Sequence, residues 1–229
     1  MLLVIEGIDA AGKATQTRRL VERYRACGRQ AATMSFPRYG QGVFADAIAE
    51  YLNGRFGPLE SVAPQLAAML FAGDRFEHLH RLEKSMNEHD VVVLDRYVAS
   101  NLAYQGARAD ADDRGRLLSW IERLEYEVYG LPVPDHTLLL DVPPPVAADL
   151  LHRKSARQYT DDAADLHERN RTFIQAVHSV YHELAANDPE RWSIIACHDA
   201  DGRLADEATI AGRIEEAIRA AGIAIPADA

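Results

Sequence analysis

A chain of 229 residues with 48% apolar content is long enough to bury one good core and reads as a single domain. Thirty-five acidic against 25 basic residues leave a net charge of −10, which argues against the long basic stripe of a nucleic-acid surface and confines any phosphate site to a local positive pocket. Cys27 and Cys197 lie far apart without a C-x-x-C or metal spacing, so they support neither a disulfide framework nor a zinc site and fit thiols in a reducing compartment. The chain opens on a strand instead of a basic segment followed by a cleavable apolar stretch, and no apolar run approaches about 18 residues. A cytoplasmic protein without a membrane partner is expected.

The first predicted strand, Leu2–Glu6, runs into Gly7-Ile8-Asp9-Ala10-Ala11-Gly12-Lys13-Ala14-Thr15. The G-x-x-x-x-G-K spacing lets backbone N–H groups fold around a β-phosphate at a helix N-terminus, while Lys13 reaches the terminal phosphates. This stretch is the expected nucleotide-binding loop. Ala14 stands where a Ser or Thr hydroxyl would hold Mg²⁺, and Thr15 lies about 100° further around the helix, so the metal must be held partly by something else. A helix over Thr15–Cys27 follows, capped by Gly28, then a strand at Ala31–Ser35 and helices at Gly42–Leu52 and Val62–Met86. Next come a strand at Val91–Leu94, a helix at Asp112–Tyr129 and a strand at Thr137–Asp141. Pro143-Pro144-Pro145 starts a further helix, Val146–Leu151. The polar segment His152–Asp162, basic first and acidic afterwards, reads either as a solvated loop or as a mobile lid spanning about 150–165. A long helix near Leu166–Ala186 carries Phe173, Val177, Val180, Tyr181 and Leu184 on one face, a core stripe, before the last strand, Ser193–Cys197. Strands alternating with helices predict a parallel α/β sheet.

A second constellation starts where Val91–Leu94 ends in Asp95-Arg96-Tyr97, because groups that do chemistry gather at the carboxyl ends of parallel strands. If helical, the next residues bring Arg96, Ser100 and Tyr104, or Tyr97, Asn101 and Tyr104, onto adjoining faces. A surface helix with an Asp–Arg pair would produce the same pattern. Phe36-Pro37-Arg38-Tyr39-Gly40 follows the second strand, and Phe71 lies one turn from Arg75. An aromatic face beside a guanidinium suits a flat base. Together these residues outline a second nucleotide site facing the first.

Phe36-Pro37-Arg38-Tyr39 and the run from Asp95 to Gln105 make the chain resemble the thymidylate kinase family of P-loop kinases, most closely its actinobacterial branch, from Leu2 to about Ala186. The resemblance implies a P-loop NTPase-type three-layer α/β/α fold with a five-stranded parallel sheet, and phosphorylation of dTMP to dTDP by ATP with Mg²⁺ in a homodimer. It implies that Phe71 stacks on thymine, that Arg75 binds its carbonyl oxygen, and that Ser100 and Asn101 complete the base site. By the same similarity Tyr104 crowds the ribose 2′ position. Arg96, Arg38 and Tyr39 gather at the acceptor phosphate, with Phe36 and Pro37 beside them, and Asp9 sits near sugar and metal. Asp165 and His167 would touch substrate, His167 replacing an expected tyrosine. Asp9 and Glu168 are the metal candidates, and Asp95 would organise Mg²⁺ through water or orient Arg96. Because Asp9-Ala10-Ala11 carries no basic residue, transition-state charge falls to the lid, with Arg153 and Arg157 preferred over Lys154 for their planar donor forks. A nucleotide-dependent switch, or a deoxynucleoside kinase with a carboxylate base, are the rival readings.

Overall fold

The computed structural model describes residues 1–148, 171–199 and 202–225. Five parallel strands form its one sheet: β1 (Leu2–Glu6), β2 (Ala31–Ser35), β3 (Val91–Asp95), β4 (His136–Asp141) and β5 (Trp192–Ala196), in the order β2-β3-β1-β4-β5. Alternate residues of the central strands serve opposite faces. Leu3, Ile5, Val91 and Val93 pack into one apolar layer, whereas Leu2, Val4, Val92 and Leu94 pack into the other. Covering both faces explains why these strands read as unbroken apolar runs. The five-stranded α/β expectation holds, and each predicted strand lies within a residue of its observed bounds.

Helix α1 (Lys13–Ala26) closes at Cys27 and Gly28, the latter at φ 76°, and packs on the Leu3–Ile5 face together with α8 (Arg171–Asn187) and α9 (Glu207–Ala220). The opposite layer receives α3 (Pro64–Glu77), α5 (Val98–Gly106) and α6 (Ala111–Glu122). Helix α2 (Val43–Leu52) lies along α3, and its first N–H groups, those of Val43 and Phe44, are accepted by the Glu77 carboxylate at 3.2 and 3.3 Å. That carboxylate supplies the cap Gly42 has no side chain to give, a contribution of about 1 kcal/mol. Residues 144–148 form helix α7, which begins at Pro144, two residues ahead of the expected Val146.

Two expected helices differ. Val62–Met86 is interrupted at His78, so α3 is followed by a separate α4 (Leu79–Glu88). The imidazole of His78 binds the Asp74 carbonyl through Nδ1 at 2.9 Å and the Gln41 carbonyl through Nε2 at 3.1 Å, a side-chain competitor for helical backbone at that turn. Asp112–Tyr129 divides into α6 and a π-helix, Arg123–Val128, whose wider turn includes the completely buried Glu125. On α8 the stripe is core as expected: Val177, Val180 and Tyr181 are fully buried, with Phe173 and Leu184 packed beside them. Cys27 and Cys197 form no disulfide, and burial pushes the Cys197 thiol up to about 12. No helix among the described residues is long and apolar enough to cross a membrane. The lid segment, with Arg153, Lys154 and Arg157, and the candidates Asp165, His167 and Glu168 lie outside the described residues.

Candidate active site

The carboxyl ends of β1 and β3 lie side by side, Ile5 opposite Asp95, and with the loop between β1 and α1 they border the candidate cleft. Gly7 is at φ 146°, and a Cβ there would stand 2.9 Å from the Leu140 carbonyl oxygen, so only glycine lets the loop lie against β4. Lys13, the first residue of α1, folds its Nζ back to the carbonyls of Gly7 (3.0 Å) and Ile8 (2.8 Å). Burial pulls its pKa down to about 8 and nearby Arg96 adds to the shift, while Asp9, Asp95 and Glu6 act against it. Both direct acceptors are neutral, which leaves the ammonium charge open to a phosphate.

Arg96 follows β3 with φ at 67°, and the only other described non-glycine residue with positive φ is Ala10 in the loop. Left-handed backbone costs such residues about 1–3 kcal/mol and persists where the surroundings dictate it. Here Arg96 N–H donates to the Ile5 carbonyl at 3.1 Å, turning the side chain into the cleft. Its guanidinium pairs with Asp9, donates to Ser100 Oγ at 3.2 Å and lies 5.3 Å from the centre of the Tyr104 ring. Tyr104 in turn donates its hydroxyl to Asp9 Oδ2 at 2.6 Å. Arg96 thus pairs with Asp9 and not, as the surface-helix reading would have it, with its neighbour Asp95, and the spacing of Arg96, Ser100 and Tyr104 does bring them together. Burial opposes the Arg96 charge, but Asp9 and the nearby Tyr104, Tyr181 and Glu6 hold its pKa well above the ordinary value.

Sequence reasoning missed Glu6. Its fully buried carboxylate accepts from the N–H groups of Tyr97 (2.8 Å) and Ser100 (3.1 Å) at the start of α5, and from the hydroxyls of Ser100 (2.6 Å) and Tyr181 (2.8 Å). Burial raises its pKa, while Ser100, Arg96, Tyr181 and the Tyr97 amide work the other way. Glu6 therefore caps α5 from a neighbouring strand and fixes Ser100 next to Arg96. A charged residue closing an apolar strand was the available signal.

The base-site candidates form a second, deeper group. Arg75 is closed onto Glu125 by two bonds, Nε to Oε2 at 2.5 Å and a terminal nitrogen to Oε1 at 2.6 Å, with both side chains almost completely buried. Asn101 gives both amide hydrogens away, to the Ala68 carbonyl (3.1 Å) and Glu125 Oε1 (2.8 Å). Those two acceptors fix which way the amide points. Its Oδ1 is buried without a partner. Phe71 packs beside Tyr51 in a third small cluster, edge to face at 6.4 Å. Phe36 is buried against Tyr97, and Tyr39 is half exposed. Arg38 donates its backbone N–H to Asp74 and a terminal nitrogen to Gln41 Oε1 at 2.6 Å, while its buried Nε is unsatisfied. Asp74, like Glu125, was not anticipated.

The family model described as thymidylate kinase matches residues 5–203. Thymidylate kinase from Mycobacterium tuberculosis is 42% identical over 206 residues, 90% of this chain and 95% of the relative. The enzyme from Thermomicrobium roseum is 34% identical over 84% of this chain and 85% of its own. A solved thymidylate kinase from Candida albicans shares the fold with a TM-score of 0.69, covering 96% of this chain and 91% of that one at 22% identity. With the family model matching most of the chain and relatives at 42% and 34% identity aligned along most of their own length, this chain belongs to the thymidylate kinase family.

Proposed function

We propose that the chain transfers the γ-phosphoryl group of ATP to dTMP, giving dTDP and ADP. The observation that carries this reading is Arg96, turned into the cleft by its left-handed backbone and held by Asp9 near the loop lysine. A dTMP phosphate oxygen, already largely ionised at neutral pH, forms the new bond to the γ-phosphorus as the bond to the β–γ bridging oxygen breaks, its electron pair leaving on ADP. No strong base is required. Positioning and charge neutralisation do the work. Lys13 and the N–H groups of residues 7–15 hold the donor phosphates, Arg96 exchanges Asp9 for the acceptor phosphate, and Arg38 and Tyr39 approach the same group. Arg153 and Arg157 deliver further charge from the lid segment.

In the base site, the unpartnered acceptor of Asn101 suits a donor such as thymine N3–H and disfavours cytosine, whose N3 accepts. Arg75, its fork half used by Glu125, addresses a ring carbonyl from a fixed position, and Phe71 offers a face for stacking. Tyr104 stays a donor because burial and Asp9 raise its pKa, and it limits room at the ribose 2′ carbon. Mg²⁺, when bound, offsets phosphate charge. The carboxylates of Asp95 and Asp9, both close enough to Lys13 to act on its charge, are the hard oxygen donors such an ion takes, with Glu168 as a further candidate. The half-exposed or more exposed Val43, Leu66, Met69, Phe76 and Val128 fit the apolar face of a homodimer in the cytoplasm.

A coupled assay with ATP-Mg²⁺ against dTMP, dUMP, UMP and thymidine tests the reading. Highest kcat/KM for dTMP is expected. Preferred turnover of thymidine would sink it in favour of a nucleoside kinase, and failure to bind dTMP would favour a nucleotide switch.

A further inference from the structure

One group of potential ligands has no part in the reaction derived above. Asp141, at the end of β4, meets His178 and His182 of α8, and it is the sole set of three metal-ligating residue types so arranged among the described residues. The histidines are four residues apart and so share one helix face. Their Nε2 atoms stand 2.7 and 3.0 Å from the same carboxylate oxygen, Asp141 Oδ1, with ring centres 4.5 Å apart. All three ligand atoms fall within 4.8 Å of one another, and each side chain keeps a fifth to a third of its surface open for an ion to enter.

We propose that Asp141, His178 and His182 form a binding site for a divalent transition-metal ion of the Zn²⁺ class. With metal–ligand bonds of about 2.0–2.2 Å, neighbouring ligands of a tetrahedral ion stand roughly 3.3–3.5 Å apart. The two carboxylate–imidazole gaps are roughly 0.3–0.8 Å shorter than that, and rotation of these partly exposed side chains opens them. Two imidazoles and one carboxylate select Zn²⁺, Co²⁺ or Ni²⁺ over Mg²⁺, which prefers oxygen donors throughout. The site is accordingly distinct in chemistry from the metal of the phosphoryl-transfer reading and does not rest on it.

Its place in the fold suggests what the ion does. Leu140, just before Asp141, packs its carbonyl against Gly7 of the phosphate loop, and α8 carries Tyr181, whose hydroxyl reaches Glu6 and Ser100. An ion joining β4 to α8 would clamp that helix beside its core stripe and so hold Tyr181 in the network that positions Ser100.

The test uses the full chain free of any affinity tag, stripped with chelator and dialysed against Zn²⁺ alone, with bound metal counted, and Co²⁺ as a spectroscopic probe. Expected are one equivalent per chain, a raised melting temperature with Zn²⁺ and the visible absorption of low-symmetry Co²⁺. His178→Ala and His182→Ala should each weaken binding at least about tenfold, since even loss of an outer-shell partner costs 10–100-fold. His80→Ala, on the exposed surface of α4, should leave binding intact. His178→Gln replaces His178→Ala if the smaller residue disturbs folding. No binding by the unaltered chain, undiminished binding in both histidine variants, or equal loss in His80→Ala overturns the proposal.

Discussion

Arg96, partly buried, and Arg75, wholly buried, are both paired with carboxylates, yet the two regions that hold them differ in how firmly the pair is closed. Arg96 has 18% of its side chain exposed and pairs with Asp9, itself 16% exposed and also held by Tyr104. On the proposed reading Arg96 exchanges that carboxylate for a phosphate, and Asp9 keeps the tyrosine hydroxyl when Arg96 leaves. Arg75 and Glu125, at 3% and 0%, form a closed bidentate pair whose spare acceptor capacity is taken by Asn101. No incoming anion can replace Glu125 without stranding a buried charge. One region therefore offers a movable charge, the other a rigid donor fork, which on the proposed reading is the one that meets the base.

The strongest way to break this comparison is Glu125→Ala. Leaving Arg75 charged and alone in the core should destabilise the fold by about 3–5 kcal/mol, read from urea unfolding. The double variant Arg75→Met/Glu125→Leu should regain most of that loss while KM for dTMP remains raised. Recovery of both quantities would reduce Arg75 to packing, and recovery of neither would mean that the pair does more than neutralise itself. Arg96→Met is the corresponding test at the cleft. It should lower kcat by about 10²–10³-fold, equivalent to some 2.7–4 kcal/mol, the scale found for removing one preorganised donor from a transition state. Its unfolding midpoint should move little, because Asp9 is near water and still bonded to Tyr104. A large loss of stability with near-normal kcat would exchange the roles assigned to the two arginines.

What the sequence revealed follows from how local each feature is. Apolar strands buried on both faces announce themselves, and so does a glycine loop leading into a helix. The cleft side of α5 was legible because Arg96, Ser100 and Tyr104 repeat at four-residue intervals. Glu6 and Glu125 were not, since a buried carboxylate is explained only by partners 91 and 50 residues away, Tyr97 and Arg75. The π turn that includes Glu125 leaves no mark in an apolar pattern read at 3.6 residues per turn. Helix α9 was overlooked although its signal is present: Asp206 caps it, accepting from the N–H groups of Ala208 and Thr209, and Ile210, Ile214 and Ile218 form a buried stripe. The His178–His182 pair flanks a stripe identified as core, and attention to cysteine spacing alone passed over it.

The smallest expected effect concerns Lys13, which sits at the donor side of the same cleft, and it sharpens the contrast because lysine, unlike either arginine, can lose its charge. Burial pulls its pKa down to about 8, against an ordinary 10.5. Between those values the folded state binds fewer protons than the unfolded chain, so stability of the nucleotide-free protein should rise with pH, by at most about 1.4 kcal/mol per pH unit. ATP, which needs the ammonium, should bind about tenfold more weakly per unit above pH 8. Opposite slopes for stability and affinity across pH 8–10.5 are the signature, measurable by denaturant unfolding and titration calorimetry. Lys13→Arg should flatten both, since a guanidinium stays charged throughout. Flat stability and affinity across that window in the unaltered chain would instead mean that a carboxylate pairs with the loop lysine and holds its pKa at or above 10.5, and the donor side would then resemble the Arg96–Asp9 pair instead of standing open to phosphate.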